Sequence, residues 1–162
     1  MNFFPFYKAL KKKRVKIKFF MHEEFQIVKI RKCRKEDLDE IYEIERVSFN
    51  YPYPPFVFYS YLNKLFFVAE ENGKIIGYIV GDRERNLIVS IAVHPDYRRK
   101  GYGRKLMEYL LKHMHGEVIL QVRKSNKGAI EFYKKLGFKE KKEIKSYYMD
   151  GEDAILMVKM ID

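Results

Sequence analysis

A short stretch in the middle of the chain combines an apolar segment, basic residues and two closely spaced glycines. Leu87–Val93 reads LIVSIAV, which is typical of a buried strand, and a helical pattern begins around Gly101 and Gly103. The glycines allow the backbone to approach a ligand and point its N–H groups outward, and the helix start adds partial positive charge. The basic side chains near these glycines are those of Arg98, Arg99, Lys100 and Arg104. This arrangement predicts a loop that binds a pyrophosphate group.

Two better-known phosphate motifs do not fit this loop. A Walker loop requires four residues between its glycines and then Lys and Ser or Thr, whereas one residue separates Gly101 from Gly103 and two basic residues follow. A dinucleotide fingerprint requires a third glycine where this chain has Leu106. A glycine-rich helix start with a solvated basic loop is the structural alternative.

The segments that must position this loop show both helical and strand patterns. Apolar spacing predicts a helix from Glu36 with Leu38, Ile41, Ile44 and Val47 on its buried face, and further helices at 56–62, 102–113 and 127–136. Strands are predicted at 26–31, 65–70, 74–81, 87–93, 117–122, 139–148 and 154–160, with hairpin turns at Asn72-Gly73 and Asp150-Gly151. This order predicts an α/β fold in which helices cover the faces of a mixed sheet.

The positive charge of the chain is unevenly distributed. The 162 residues fit one domain and carry a net charge of +11, but residues 1–20 hold seven Lys and Arg and no acid. We therefore divide the chain into a basic N-terminal arm, residues 1–24, and a domain at 25–162. The arm is suited to contact a ribosome, nucleic acid or an acidic surface. We favour a solvated tail, or a start upstream of the native one, because the residues after Met21, HEEFQIVKIRK, look like a normal start of a protein.

Composition argues against several classes of protein. The apolar runs are too short for a transmembrane helix, so no membrane partner is expected. The single Cys33 leaves no intrachain disulfide and no multi-cysteine zinc motif, and the four histidines have no ligand spacing, so no metal is expected. A cytoplasmic location follows from this cysteine usage. No helix-turn-helix, zinc-finger or RNP pattern supports a nucleic-acid-binding module.

Two blocks of the sequence together resemble the GNAT acetyltransferase superfamily. The first runs from Arg98 through Gly101 and Gly103 into the next helix, and the second is VRKSNKGAIEFYKKLGF at 122–138. They occur in the order and spacing of that family, with Arg98 in place of its usual Gln. The resemblance covers about residues 26–160. Within the family it is similar to protein N-terminal acetyltransferases of the RimI-like and archaeal type.

The resemblance implies a splayed, mostly antiparallel mixed sheet with acetyl-coenzyme A in the V between two parallel strands, 87–93 and 117–122. The backbone of Ile91, Ala92 and Val93 would pair with the pantetheine arm like an added strand. The pyrophosphate would be wrapped by the segment from Arg99 to Arg104, which includes Lys100, Gly101, Tyr102 and Gly103, and Arg98 would be a further cofactor-binding residue. Asn126 would hydrogen-bond the cofactor, and it is also suited to cap the helix that follows.

The implied reaction is direct attack of a neutral amine on the thioester, which requires a base. By resemblance, the N–H of Val93 would stabilise the oxyanion, while Tyr133 would contact the cofactor and protonate the leaving thiolate. The family's usual Glu base is replaced by Gln121, which cannot accept the amine proton but can position water or the amine. Glu45 and His94 are the two other candidate bases.

The resemblance also implies two walls around the substrate, which would be a protein N-terminus. Tyrosine rings can line a side-chain pocket, and their hydroxyls can bind peptide carbonyls. The walls would consist of Phe49, Asn50, Tyr51 and Tyr53 in one loop and Tyr147 and Tyr148 in another. The oligomeric state is left open between monomer and dimer. The alternatives are an acetyltransferase for lysine or small amines, a silent acetyl-CoA sensor, and a protein that binds nucleic acid or ribosomes.

Overall fold

The computed structural model describes residues 27–162, and the predicted basic arm at 1–24 lies outside the described residues. The four α-helices of this part are α1 (Leu38–Ser48), α2 (Pro55–Ser60), α3 (Tyr102–Leu111) and α4 (Lys127–Lys135), and 3-10 turns occur at Lys35–Asp37 and Pro95–Tyr97. The strands are β1 (Val28–Lys32), β2 (Leu65–Glu71), β3 (Lys74–Asp82), β4 (Leu87–Val93), β5 (Gly116–Arg123), β6 (Lys139–Ile144) and β7 (Ala154–Ile161).

All seven strands form one sheet in the order β1-β2-β3-β4-β5-β7-β6. Every neighbouring pair is antiparallel except β4 and β5, which run parallel. Within residues 27–162, the register of β4 and β5 contains one pair, Leu87 opposite Ile119, near the start of β4. The two strands therefore separate toward their carboxyl ends. The predicted mixed α/β fold with a splayed, mostly antiparallel sheet is confirmed.

Helices cover both faces of the sheet. On one face, α3 and α4 bury Leu106, Leu110 and Ile130 against strand residues that include Val118 and Leu120. On the other face, α1 and α2 bury a second apolar cluster that contains Ile41, Ile44, Phe58, Phe66 and Tyr78. The gap between β4 and β5 therefore has one apolar cluster on each side of the sheet. No helix in the described part of the chain is long and apolar enough to cross a membrane.

Two predictions from sequence periodicity were wrong in detail. Val47 was expected on the buried face of α1 but is 44% exposed, since it lies near the end of that helix. The strand predicted at 139–148 ends at Ile144. Ser146 adopts a positive φ of +47°, which breaks the extended backbone, and Asp153 accepts its N–H at 2.9 Å. The chain from 145 to 153 is therefore a loop rather than a tight hairpin.

Candidate active site

The free edge of β4 is the first part of the site. The N–H of His94 donates to the carbonyl of Ile76 in β3 at 2.8 Å. Because successive N–H groups along a strand point to opposite sides, those of Ile91 and Val93 point away from β3, toward the gap beside β5. The predicted cofactor segment, with Ala92 at its centre, thus presents an open strand edge. The oxyanion role of the Val93 N–H stays a prediction, and it is compatible with this direction.

The loop after β4 has the backbone geometry of an anion-binding turn. Arg99 and Gly101 both adopt the left-handed conformation, with φ of +65° and +84°. Such a sequence of conformations turns neighbouring N–H groups toward one concave surface. Gly101 is the N-cap of α3, and within residues 27–162 no side chain caps this helix end. The N–H groups of 102–104 therefore have no helical partner and are available to a ligand.

Two side chains of this loop hold it in place instead of pointing toward a ligand. Arg98 turns back, donating from Nε to the carbonyl of Val93 at 2.8 Å and from its terminal nitrogen to Ser48 Oγ at 3.0 Å. The ring of Tyr102 is buried, and its hydroxyl donates to Glu71 at 3.0 Å. This arrangement differs from the expectation for Arg98, whose side chain was predicted to reach the pyrophosphate. For Arg98 and Tyr102, only the backbone is therefore available to contact the cofactor.

The other basic side chains of the loop are exposed. Arg104 lies along α3, with its guanidinium 3.4 Å from Glu108 and 3.4 Å from the carbonyl of Lys135. Within the described residues, Arg99 makes no ion pair, and Lys100 lies over the ring of Tyr97 at 5.6 Å. Arg99 and Lys100 are therefore the cations of this loop best placed to meet a phosphate.

Gly103 has a packing role that the sequence interpretation missed. A Cβ at this position would lie 3.3 Å from the ring of Phe132 in α4. The absence of a side chain therefore lets α3 and α4 approach closely. This brings the free N-terminus of α3 beside the helix that carries Tyr133.

Asn126 occupies the N-cap of α4, as one of its two predicted roles required. Its Oδ1 accepts the N–H of Ala129 at 3.1 Å. The adjacent Ser125 donates its N–H to Glu152 at 3.0 Å. The side-chain amide N–H groups of Asn126 are not needed for the cap, so the predicted cofactor contact remains a prediction compatible with this geometry.

Tyr133 lies on α4 in an aromatic cluster. Its ring packs against Phe132 and Phe138 at centroid distances of 5.4 and 6.1 Å. Burial raises the pKa of the Tyr133 phenol, and the neighbouring Tyr148 adds to the effect. Within residues 27–162 its hydroxyl has no hydrogen-bond partner. The phenol therefore keeps its proton at neutral pH, which is the state that a general acid requires.

The candidate bases occupy very different surroundings. Glu45 at the end of α1 is 1% exposed, and one carboxylate oxygen accepts the N–H of Tyr53 at 2.8 Å. The other oxygen accepts the hydroxyl of Tyr78 in β3, and burial raises the pKa of Glu45. His94 instead accepts the N–H of Asp96 at 3.2 Å, so its ring folds back onto its own loop.

Gln121 lies on β5 and faces the same side of the sheet as Glu45. Its neighbours Leu120 and Val122 are buried on the α3–α4 side, so alternation places Gln121 on the α1–α2 side, where it is half-buried. The sequence places an amide where the family's usual base would be, and the structure adds a buried carboxylate, Glu45, on that side of the sheet.

Arg123 joins the two predicted substrate walls. Its guanidinium lies 4.8 Å from the ring centre of Tyr51 and 4.0 Å from that of Tyr148. It also donates to Asp150 and Glu152, each at 2.8 Å. Arg and aromatic rings attract each other in this geometry, and the paired carboxylates fix the guanidinium. The structure therefore brings the two predicted loops together around one side chain.

The other wall residues have less specific surroundings. Tyr147 contacts Tyr148 edge to face at 5.0 Å, and burial raises the pKa of Tyr148 to about 12. Phe49 follows α1 directly, its N–H donating to the carbonyl of Glu45, and Asn50 is exposed. The sequence interpretation did not assign a role to Arg123. Arg123 lies in the second family block at 122–138, but no local signal linked it to tyrosines in other loops.

Comparisons with known proteins identify the family of the chain. The model of the Acetyltransferase (GNAT) family matches residues 37–138. An N-alpha-acetyltransferase of Sulfurisphaera tokodaii is 41% identical over 151 residues, covering 80% of this chain and 90% of that relative. The crystal structure of the ribosomal-protein-S18-alanine N-acetyltransferase from Escherichia coli has a TM-score of 0.75 and 34% identity, covering 84% of this chain and 95% of that one.

A third similarity extends to a complex with a peptide. The crystal structure of the NatC complex bound to Gag peptide and CoA has a TM-score of 0.72 at 25% identity, covering 83% of this chain and 99% of that one. These matches confirm the family that the two sequence blocks predicted, and with it the enzyme class of N-acetyltransferases. This chain belongs to the GNAT acetyltransferase family.

Proposed function

We propose that this chain transfers an acetyl group from acetyl-CoA to the α-amino group of protein N-termini. The observation that carries the proposal is the meeting of two features where β4 and β5 separate. One is a free strand edge beside a free helix N-terminus, and the other is a pair of tyrosine-bearing loops held by Arg123. The first suits a pyrophosphate carrier with an extended arm, and the second suits a peptide.

The residues that fit acetyl-CoA are those with unused backbone donors. The edge at Ile91 and Val93 would hold the pantetheine arm, and the N–H groups of 102–104 would hold the pyrophosphate beside Arg99 and Lys100. Acetyl-CoA supplies the acetyl group as a thioester. The relative that is solved with peptide and CoA supports this choice.

The chemical roles follow from which of these groups can donate a hydrogen bond, give up a proton or accept one. The N–H of Val93 would donate to the oxygen that becomes negative during attack. Tyr133 holds a proton that it would give to the leaving sulfur. Gln121 cannot take a proton from the amine, so it would hydrogen-bond the amine or a water.

A peptide N-terminus is favoured over a polyamine by the state of the carboxylates at the walls. Asp150 and Glu152 are both paired with Arg123 at 2.8 Å, so they are not free to bind a polycation. The relative from Sulfurisphaera tokodaii is named an N-alpha-acetyltransferase, and the Escherichia coli enzyme is named a ribosomal-protein-S18-alanine N-acetyltransferase, which supports this choice. Contact of the basic arm with ribosome or nucleic acid remains a prediction.

A panel of amines tests the proposal. Purified protein and acetyl-CoA would be mixed with peptides that begin with Ser, Ala, Thr, Met-Leu or Met-Glu, with a terminally blocked lysine peptide, and with spermidine. Mass spectrometry would follow the added acetyl group, and calorimetry would measure acetyl-CoA binding separately. We expect acetylation of free peptide termini. Acetylation of only lysine or spermidine would contradict the proposed substrate, and binding without any transfer would indicate a sensor.

A further inference from the structure

We propose that Ser90, Tyr78 and Glu45 form a proton path that carries the amine proton from the gap between β4 and β5 to a buried carboxylate. The inference rests on the proposed function, because it names the base for that reaction. It answers the chemical problem that Gln121 creates. No other carboxylate of the described residues is both buried and connected to the α1–α2 face of β4 by hydroxyl groups.

The path is continuous and fully hydrogen-bonded. Tyr78 on β3 is 0% exposed, and its hydroxyl donates to Glu45. The same hydroxyl lies 3.0 Å from Ser90 Oγ. Ser90 is half-buried on β4, directly before the open edge at Ile91–Val93. The path therefore has a buried end at Glu45 and an accessible end at Ser90.

The ionised carboxylate fixes the direction of the hydrogen bonds. A carboxylate only accepts, so the single proton of Tyr78 is committed to Glu45. Tyr78 oxygen must then accept from Ser90, which uses the only proton of the serine hydroxyl. The lone pairs of Ser90 consequently remain available to accept a proton at the accessible end. This is the polarity that a path for outgoing amine protons requires.

Side-chain directions place the accessible end beside the predicted amine position. Because Ser90 contacts Tyr78, its side chain is on the α1–α2 face of the sheet, the same face as Gln121 on β5. Both residues lie just past the single registered pair, Leu87 and Ile119, where the strands begin to diverge. An amine that is hydrogen-bonded by Gln121 would therefore meet Ser90 across the gap.

The transfer balances in protons and charge. The ammonium gives a proton to Ser90 Oγ as the serine proton passes to Tyr78 and the tyrosine proton passes to Glu45. This converts ammonium and carboxylate into a neutral amine, whose lone pair attacks the thioester, and a neutral carboxylic acid. After attack, Tyr133 gives its proton to the leaving sulfur, while the second amine proton passes to solvent water, from which the Tyr133 oxygen regains a proton. Glu45 returns its proton along the same path once the product has left.

The surroundings of Glu45 strengthen it as a proton acceptor. The titratable groups that face it are Tyr53 in the loop after α1 and Tyr78 in β3, while Arg98 is held at Ser48 one turn further along α1. Burial raises the pKa of Glu45, which makes the carboxylate a stronger base than an exposed one. Its contact with the N–H of Tyr53 also orders the substrate loop, and the test must separate these two roles.

Four variants test the path: Glu45→Gln, Tyr78→Phe, Ser90→Ala and, as a matched control, Glu40→Gln. Glu40 is on the same helix and accepts the N–H of Ile75 at 3.0 Å, but it does not contact the path. Gln at position 45 can still accept from Tyr53. Steady-state rates would be measured from about pH 5 to about pH 9, with calorimetry of acetyl-CoA binding to show that each variant is folded.

We expect Glu45→Gln and Tyr78→Phe each to lower kcat about 100-fold, with the peptide KM changed by less than about twofold, because general-base catalysis contributes on this scale. The double variant should be no slower than either single one, since both break one path. Ser90→Ala should lower kcat about tenfold, because a water can replace the hydroxyl. The acidic limb of the kcat/KM profile should disappear in Glu45→Gln and persist in Glu40→Gln.

Other outcomes would overturn the path or the function separately. A raised peptide KM with unchanged kcat and an unchanged acidic limb in Glu45→Gln would assign Glu45 to loop ordering alone. Full activity in Tyr78→Phe would also overturn the path. If the wild-type protein acetylates only lysine or spermidine, the proposed substrate fails while the same variants still decide the path on that amine.

Discussion

The two sides of the gap between β4 and β5 differ in the kind of polar group that they present. On the side of α3, the polar groups that matter are backbone N–H groups without partners, at the edge of β4 and at the start of the helix. On the side of α1, two charged side chains are held by other side chains, in the contacts of Glu45 with Tyr78 and of Arg123 with Glu152.

This difference reflects what each side has to do. A polyanionic carrier is bound by donors that are already arranged and unpaired, so a short local motif is sufficient. A peptide N-terminus must be oriented and deprotonated, which requires side chains fixed relative to one another by contacts between distant segments. Changes on the α3 side should therefore alter affinity for acetyl-CoA, whereas changes on the α1 side should alter the use of the peptide.

Tyr133 on α4 is assigned to the leaving sulfur, where the two substrates react, and its loss should show the largest effect. Tyr133→Phe keeps the packing against Phe132 and Phe138 but removes the proton that we assign to the leaving sulfur. We expect kcat to fall by about 100-fold to 10,000-fold, which is the range for a general acid. Calorimetry should show nearly unchanged acetyl-CoA binding. Unaltered turnover would remove Tyr133 from the mechanism.

Gly101→Ala should weaken acetyl-CoA binding about tenfold, because a side chain in the left-handed conformation costs about 1–2 kcal/mol and the loop would relax away from its φ of +84°. Gly116→Ala is the matched control, since Gly116 has a φ of +73° at the start of β5, away from the loop. Both variants should lose similar thermal stability. Equal acetyl-CoA affinity in the two variants would contradict an anion-binding role for the loop.

Arg123→Met should weaken the use of the peptide and leave the use of acetyl-CoA unchanged. Loss of the guanidinium separates Tyr51 from Tyr148 and leaves Asp150 and Glu152 unpaired, so we expect the peptide KM to rise about tenfold. The KM for acetyl-CoA should not change. Lys124→Met removes the neighbouring charge, which is paired with Glu143 at 2.8 Å, and serves as the control. If Lys124→Met raises the peptide KM equally, the effect is one of general charge rather than of clamped walls.

Acid should destabilise the loop that carries Glu152, with a smaller effect than the substitutions above. Hydrogen bonds from Ser125 and then Arg123 lower the pKa of Glu152 to about 2. A carboxyl whose pKa is lowered on folding stabilises the protein above its unfolded pKa of about 4.3, and that contribution is lost as the pH falls toward 2. The Tm of the wild-type protein should therefore exceed that of Glu152→Gln at pH 6, and the difference should shrink toward pH 2. A constant difference would contradict this assignment.

The α3 side of the gap could be predicted from the sequence better than the α1 side. The strand, basic loop, Gly101 and helix are consecutive in the sequence, so their arrangement could be predicted from local chemistry, and the paired motifs identified the family. The contacts of the α1 side join residues 29 and 33 residues apart, Arg123 with Glu152 and Glu45 with Tyr78. No spacing rule links such positions, and the inward turn of Arg98 depends on Ser48, 50 residues earlier.

One peptide that offers both kinds of amine tests the proposed function most directly. The peptide would begin with a free Ser or Ala, carry one internal lysine, and be incubated with the protein and acetyl-CoA. Fragmentation in a mass spectrometer then locates the added acetyl group. We expect acetylation of the α-amine with the lysine unmodified. Acetylation of the lysine with a free terminus would contradict the assignment of protein N-termini as the substrate.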